Sequence, residues 1–141
     1  MFQLFGPRFH VLHCRVQQSL TNALAQMELT GQQGRILGYI SRCDQPPCPR
    51  DVEETFQLSH PTVSGLLSRL EKKGFLKLEP DLDDKRCKRI YLLPKGEACN
   101  QVIRETISAT EAQITQGFTA EERAQFLSFL DRVIENMQQE E

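Results

Sequence analysis

Much that would assign an activity is missing from these 141 residues. No apolar run approaches the roughly 20 residues that span a bilayer, and no basic N-terminal segment precedes a long hydrophobic stretch. Membrane and export classes are therefore set aside, and a cytoplasmic location is expected. There is no glycine-rich phosphate loop, no nucleophile beside a base and no carboxylate pair in useful context, so neither an enzyme nor a cofactor is expected. Repeats, low-complexity tracts and linkers are absent too, and the length suits one domain spanning 1–141. The net charge is only −2, which does not suit a protein that coats nucleic acid in bulk. Five cysteines, an odd number, argue for reduced thiols rather than a disulfide framework.

What is present is unevenly distributed. Residues 60–95 hold nine Lys/Arg against five Asp/Glu, whereas residues 96–141 hold three against nine. A basic patch inside a nearly neutral chain fits a sequence-specific regulator better than a non-specific binder, and the acidic C-terminal stretch would be repelled by DNA.

The basic stretch has its own pattern. Val63, Leu66, Leu67 and Leu70 recur at i, i+3, i+4 and i+7 and predict a helix with one apolar face. Ser59 suits its N-cap, Pro61 its first turn, and Gly74 its end after Lys72 and Lys73. The opposite face carries Pro61, Gly65, Ser68, Arg69 and Lys72, with Thr62 and Ser64 at its borders. Small hydroxyl residues let a helix sink into a major groove, and Arg and Lys reach guanine edges or phosphates. Taken alone, the pattern also describes any amphipathic helix with a solvated face. Residues 75–79 and 88–93 then alternate as strands, although the second ends in a solid apolar run, around a turn-forming tip from Pro80 to Arg86. A tip with Lys85, Arg86, Lys88 and Arg89 can follow a phosphate backbone or place one Arg in a narrow minor groove. Asp84 is placed to aim the Arg86 guanidinium through a paired hydrogen bond. The bland alternative is a solvated hairpin whose charges only protect an edge. Helix and hairpin together make a winged helix-turn-helix in a mainly α (α+β) chain, with residues 30–93 as the DNA-binding region.

Around this region the pattern is helical. Phe9, Leu12, Val16, Leu20, Ala23, Leu24 and Met27 predict a first helix from about Pro7 to Met27. Thr30 and Gln33 have capping-box spacing and start a second helix carrying Ile36, Leu37 and Ile40, which the Asp44–Pro47 segment breaks. A short helix near Pro49 to Phe56 is the first of the helix-turn-helix, and Gln57, Leu58 and Ser59 form the turn. Pro94 opens a long helix with Val102, Ile103, Ile107, Thr110 and Ile114, which Gly117 ends. Thr119 and Glu122 cap a last helix with Phe126, Leu127, Leu130, Val133, Ile134 and Met137. Segments 1–29 and 94–141 thus carry apolar stripes that a core of about 60–70 central residues cannot fully cover. They bury either against a second copy or in an intramolecular bundle.

The combined motif resembles the DNA-binding region of the MarR family of bacterial transcription regulators. The residues that carry the resemblance are Leu58 to Leu67 (LSHPTVSGLL), Arg69 to Gly74 (RLEKKG), and Asp84-Lys-Arg86 followed by Leu92-Leu-Pro-Lys-Gly96. Where the family has Leu-Thr-x-x-Gly, Leu93 stands in place of Thr. That removes a capping hydroxyl, which Pro94 partly replaces by setting the first turn. The resemblance extends over almost the whole chain. It implies N- and C-terminal dimerisation helices, a homodimer on palindromic double-stranded DNA, and recognition helices about one DNA turn apart. It also implies a repressor released by a small aromatic or lipophilic effector, bound between the dimer helices and the winged domain. The DNA-binding residues are then His60, Pro61, Thr62, Ser64, Ser68, Arg69, Lys72, Lys85 and Lys88, with Arg86 in the minor groove and Asp84 as its anchor.

Several residues can carry a signal. His10, His13, Arg15 and Tyr39 lie near the expected effector crevice, but nothing in them selects one compound. His10, His13 and Cys14 share a helix face with a spacing that suits a soft metal; the sequence names no further ligand, so no metal site is expected. Cys14 is also a candidate thiol sensor, because the peroxide-sensing branch of the family places a reactive cysteine in the first helix. Cys43 and Cys48 flank Asp-Gln-Pro-Pro and can close a disulfide. Cys87 lies in the wing, where oxidation would act on DNA contact directly, and Cys99 reads as helix filler. For each thiol the bland reading is a small apolar residue without a signalling role. A thiol-based redox regulator of the same fold, and a winged helix that binds protein instead of DNA, are the alternatives to a ligand-released repressor.

Overall fold

Local capping chemistry sets the helix boundaries. The computed structural model describes residues 3–138, in the order α1 (Phe5–Gln26), α2 (Gly31–Arg42), α3 (Pro49–Phe56), α4 (His60–Lys72), β1 (Leu76–Pro80), β2 (Lys88–Leu92), α5 (Pro94–Ile114) and α6 (Ala120–Gln138). At α2 the Gln33 N–H donates to Thr30 Oγ1 (3.2 Å) and the Thr30 N–H donates to Gln33 Oε1 (3.0 Å). Thr119 and Glu122 make the same reciprocal pair at α6, at 3.1 and 2.9 Å. Ser59 caps α4 by accepting from the Thr62 N–H. Each such cap contributes about 1 kcal/mol. Gln57 adopts a left-handed conformation (φ 55°) between α3 and α4, and Gly74 (φ 84°) ends the turn after α4. Helix α1 begins at Phe5, two residues before Pro7. The proline therefore sits inside the first turn, where its missing N–H has no helical partner to lose.

The α4 stripe of Val63, Leu66, Leu67 and Leu70 is buried, as its period requires. Its core partners are Ile36, Leu37 and Ile40 of α2, Val52 of α3, Phe75, Leu76 of β1, Ile90 of β2 and Cys99 of α5. Fully burying a side chain of this kind stabilises by about 1.5–3 kcal/mol. The strands pair antiparallel, with Leu76 opposite Leu92, Leu78 opposite Ile90 and Pro80 opposite Lys88. The segment before α3 is stitched to this hairpin. The Ile90 N–H donates to the Pro47 carbonyl at 2.8 Å, and Arg89 Nη1 donates to the Pro46 carbonyl at 3.1 Å. Two prolines lack donors of their own but still offer carbonyls, so they suit this edge.

Two close approaches hold α5 to the hairpin and α2. Gly96 lies so near the Phe75 carbonyl that a Cβ there would stand 2.3 Å from its oxygen. Asn100 is buried, and its Nδ2 donates to the Leu37 carbonyl at 3.0 Å.

Residues 1–107 and 108–141 form two compact units. In the first, α1 leaves Phe5, Val11 and Leu12 more than half exposed. In the second, α6 buries none of its described residues, Ile134 and Met137 stay open, and the Phe118 and Phe126 rings meet edge-on at 5.9 Å. Among the described residues, no helix is long and apolar enough to cross a membrane.

Candidate nucleic-acid interface

Helix α4 turns its polar face outward. His60, Pro61, Thr62, Ser64, Ser68, Arg69 and Lys72 are all exposed, and a Cβ added at Gly65 would meet nothing within 4 Å. Two of these residues also brace the helix start. His60 Nδ1 pairs with Glu53 Oε1 and so ties α4 to α3. The hydroxyls of Thr62 and Ser59 share a hydrogen bond of 2.9 Å. The face presented is therefore short-chained and rigid at its N-terminal end, with Arg69 and Lys72 towards its C-terminal end.

The wing tip corrects one expectation. Asp84 does not hold the Arg86 guanidinium. Its Oδ1 accepts from the Arg86 backbone N–H at 3.1 Å, and its Oδ2 accepts from the Cys87 thiol at 3.6 Å. An aspartate in a tight turn reaches the N–H two residues on more readily than a long side chain on the same turn. Asp84 thus shapes the turn and leaves the guanidinium of Arg86 outside it. The guanidinium that is anchored belongs to Arg89, which reaches Asp81 Oδ2 at 3.2–3.3 Å as well as the Pro46 carbonyl. The hydrogen bond to Asp81 raises the Arg89 pKa. Strand register carries the signal for this pair: with Pro80 opposite Lys88, Asp81 lies diagonal to Arg89 across the hairpin.

The basic residues between 60 and 95 sort into two groups. Lys73 Nζ donates to the Glu28 carbonyl, and Lys95 Nζ donates to the Lys73 carbonyl at 2.7 Å while lying 4.5 Å over the Phe75 ring. Lys77 pairs with Glu79 at 2.8 Å, and Arg89 is clamped as above. Each of these four has a partner within the chain. Arg69, Lys72, Lys85, Arg86 and Lys88 are exposed, and among the described residues none of them makes an ion pair. Arg86 and Lys88 join His60, Ser64 and Leu67 in lining a groove of about 530 Å³ between α3, α4 and the wing.

The candidate signal residues are scattered. On α1, His10 Nε2 lies 3.7 Å from Cys14 Sγ, and His10, His13, Cys14 and Arg15 are all exposed. Tyr39 instead packs edge-on against Phe56 at 5.6 Å. A cavity of about 490 Å³ opens between the end of α2, the Pro46–Pro47 segment, β2 and α5. Tyr91, Glu97, Asn100 and Arg104 line it, and His10, His13, Arg15 and Tyr39 do not. Cys43 donates to the Tyr39 carbonyl at 3.3 Å, whereas Cys48 donates to Asp51 Oδ2 at 3.3 Å, so the two thiols face different partners. The Cys48 N–H, foremost among several contacts, holds the Asp51 carboxyl below its ordinary value. The negative charge of Asp84 pushes the Cys87 thiol up, and burial does the same to Cys99.

A helix-turn-helix with a hairpin wing, flanked by long helices on both sides, defines a winged-helix regulator. Known proteins agree with that class. The MarR family model matches residues 27–86. A structure of S. aureus MepR with DNA superposes with a TM-score of 0.85 at 25% identity, over 94% of this chain and 99% of that one. A protein from Clostridium acetobutylicum, described as a MarR family transcriptional regulator, gives 0.80 at 29% identity over 94% and 97%. S. aureus MepR bound to ethidium bromide gives 0.77 at 25% identity over 95% and 96%. The winged helix-turn-helix region of this chain thus matches the MarR family, and its fold is the one these transcriptional regulators share.

Proposed function

We propose that this protein is a sequence-specific DNA-binding repressor that acts as a homodimer on a palindromic operator. One observation carries the reading: of the nine Lys/Arg between residues 60 and 95, the five that the fold leaves outside its own contacts lie on the outer face of α4 and on the wing. Thr62, Ser64, Ser68 and Arg69 read or position the major groove, Lys72, Lys85 and Lys88 meet phosphates, and Arg86 enters the minor groove. The similarity to MepR in its DNA complex supports this use of the fold.

Segments 1–29 and 94–141 supply the dimer contacts in this reading. The support is the exposed apolar set of α1, α5 and α6, which includes Phe5, Leu12, Ile107, Leu127 and Ile134; a second copy is the surface that removes it from water. A small aromatic or lipophilic effector releases the operator by binding more tightly to the arrangement whose recognition helices are wrongly spaced. The similarity to MepR bound to ethidium bromide supports an aromatic effector class.

The test is fluorescence anisotropy of the reduced protein on its own upstream intergenic DNA, with a salt titration and a scrambled competitor. Tight, salt-steep binding that resists the competitor is expected. Arg86→Ala should weaken it by about 1–3 kcal/mol. Unchanged affinity in that variant would overturn the role given to the wing. Equal binding to scrambled DNA would favour a protein-interaction module.

A further inference from the structure

The groove between α3, α4 and the wing holds two thiols as well as Arg86 and Lys88. Cys48 is the N-cap residue of α3, and Cys87 closes the wing tip immediately before β2. Both line the same cavity of about 530 Å³. The backbone brings their neighbourhoods together, because the Ile90 N–H donates to the carbonyl of Pro47, the residue before Cys48. Arg89, two residues after Cys87, donates to the Pro46 carbonyl. Each thiol also has a carboxylate beside it, Asp51 Oδ2 at 3.3 Å for Cys48 and Asp84 Oδ2 at 3.6 Å for Cys87. Cys43 lines the other cavity instead, with its thiol turned to the Tyr39 carbonyl.

We propose that Cys48 and Cys87 form a redox pair, which a hydroperoxide converts to an intramolecular disulfide joining the start of α3 to the wing tip. In the first step the Cys48 thiol gives up its proton and the sulfur attacks a peroxide oxygen. The O–O bond breaks, the alkoxide leaves and takes a proton, and Cys48 becomes a sulfenic acid. Cys87, which lines the same groove from the wing tip, is the resolving residue. It loses its proton and its sulfur attacks Cys48 Sγ, the S–O bond breaks, and hydroxide leaves as water. Two thiols and one hydroperoxide thus yield one disulfide, one alcohol and one water; the sulfurs give up two electrons and the peroxide takes them.

The consequence is mechanical. A disulfide holds its Cα atoms within about 4.4–6.8 Å of each other, so it pins the tip to the start of α3, and it removes the S–H that Cys87 donates to Asp84. Arg86 and Lys88 flank Cys87 and line the same groove, so the bond fixes both cations in one position against α3 and takes from them the freedom to fit a phosphate backbone. The effect on the operator rests on the DNA-binding function proposed above; the bond itself does not.

The experiment treats the full chain with hydrogen peroxide, then divides the sample. Non-reducing peptide mapping should show a Cys48–Cys87 cross-link within one chain, lighter by two hydrogens and reversed by dithiothreitol. Anisotropy should show operator affinity at least tenfold lower after oxidation and restored by reduction. Cys48→Ser, which keeps a good N-cap residue, should abolish both responses, and Cys14→Ser should leave both intact. A Cys43–Cys48 bridge, bridges between chains, or oxidation stopping at single sulfurs would overturn the pairing. A mapped Cys48–Cys87 bridge without loss of affinity, in protein that binds operator when reduced, would overturn the coupling to DNA. Failure of the reduced protein to bind operator, with the bridge still mapped, would instead count against the proposed function and leave the pairing standing.

Discussion

Gly96→Ala is the sharpest test of how α5 meets the winged domain. An added Cβ would lie 2.3 Å from the Phe75 carbonyl oxygen, 3.3 Å from its carbon and 3.0 Å from Leu92 Cδ2. The first contact falls roughly 1 Å short of ordinary van der Waals separation, and the obstacle is backbone, which cannot rotate away. Helix α5 must shift, and the same carbonyl accepts the Leu93 N–H at 3.0 Å, just before the helix begins. Overpacking of this kind costs about 1–3 kcal/mol, with a rigid obstacle placing it at the upper end. The strained hydrogen bond adds about 1 kcal/mol, and the better helix propensity of Ala returns about 1 kcal/mol. The net expectation is a loss of about 3 kcal/mol, or on the order of 10 °C in Tm, at fixed protein concentration. Urea denaturation followed by circular dichroism reads it as a lower midpoint at unchanged slope. Gly65→Ala is the matched control, because its Cβ meets nothing within 4 Å and the helix should gain up to about 1 kcal/mol. If Gly96→Ala were as stable as the parent, the close approach of α5 to Phe75 would be wrong.

Three further outcomes follow from the geometry. Arg89→Ala should speed amide exchange at Ile90, since it frees Asp81 and the Pro46 carbonyl beside the Ile90–Pro47 bond, while global stability changes little; equal exchange would mean that the clamp holds nothing. Asp51 is held below its ordinary value of 3.8, so its contribution is present above that pH and is lost as pH falls through the depressed folded value; the stability gap between the parent and Asp51→Asn should close below about pH 3.8, and a gap constant with pH would refute the assignment. Gln at Lys72, Lys85 or Lys88 should each lower the salt slope of operator binding by about 0.9 for every phosphate that the side chain no longer neutralises, whereas Lys77→Gln and Lys95→Gln should leave the slope unchanged.

The sequence makes some features legible for a physical reason: they are local. The caps at Thr30, Ser59 and Thr119 involve residues three apart, and the α4 stripe has the helical period, so both appear without knowledge of tertiary contacts. The hairpin is readable because its strands alternate. Contacts between residues distant in sequence are not written in periodicity. The stitch from Ile90 to Pro47 and the bond from Asn100 to Leu37 join residues 43 and 63 positions apart, respectively, and nothing near either partner announces the other. Asp84 shows a subtler limit. Its spacing to Arg86 allows two hydrogen bonds, one to the side chain and one to the backbone, and only the turn conformation selects between them.

The same limit changes what the basic stretch means. Nine Lys/Arg between residues 60 and 95 suggest a broad positive surface. Four of them have partners within the chain: Lys73 and Lys95 on carbonyls, Lys77 on Glu79, and Arg89 on Asp81 and Pro46. Lys77 and Arg89, each already paired with a carboxylate, would release few counterions on meeting a phosphate, and Lys73 and Lys95 are held at backbone carbonyls. The five that remain sit on two elements only, α4 and the wing, which the His60–Glu53 pair and the Ile90–Pro47 bond tie to α3 and to the segment just before it. A short helix that holds none of these five thus acts as the common brace for the two elements that do. That arrangement explains how a chain with a net charge of −2 can present a positive surface of defined shape.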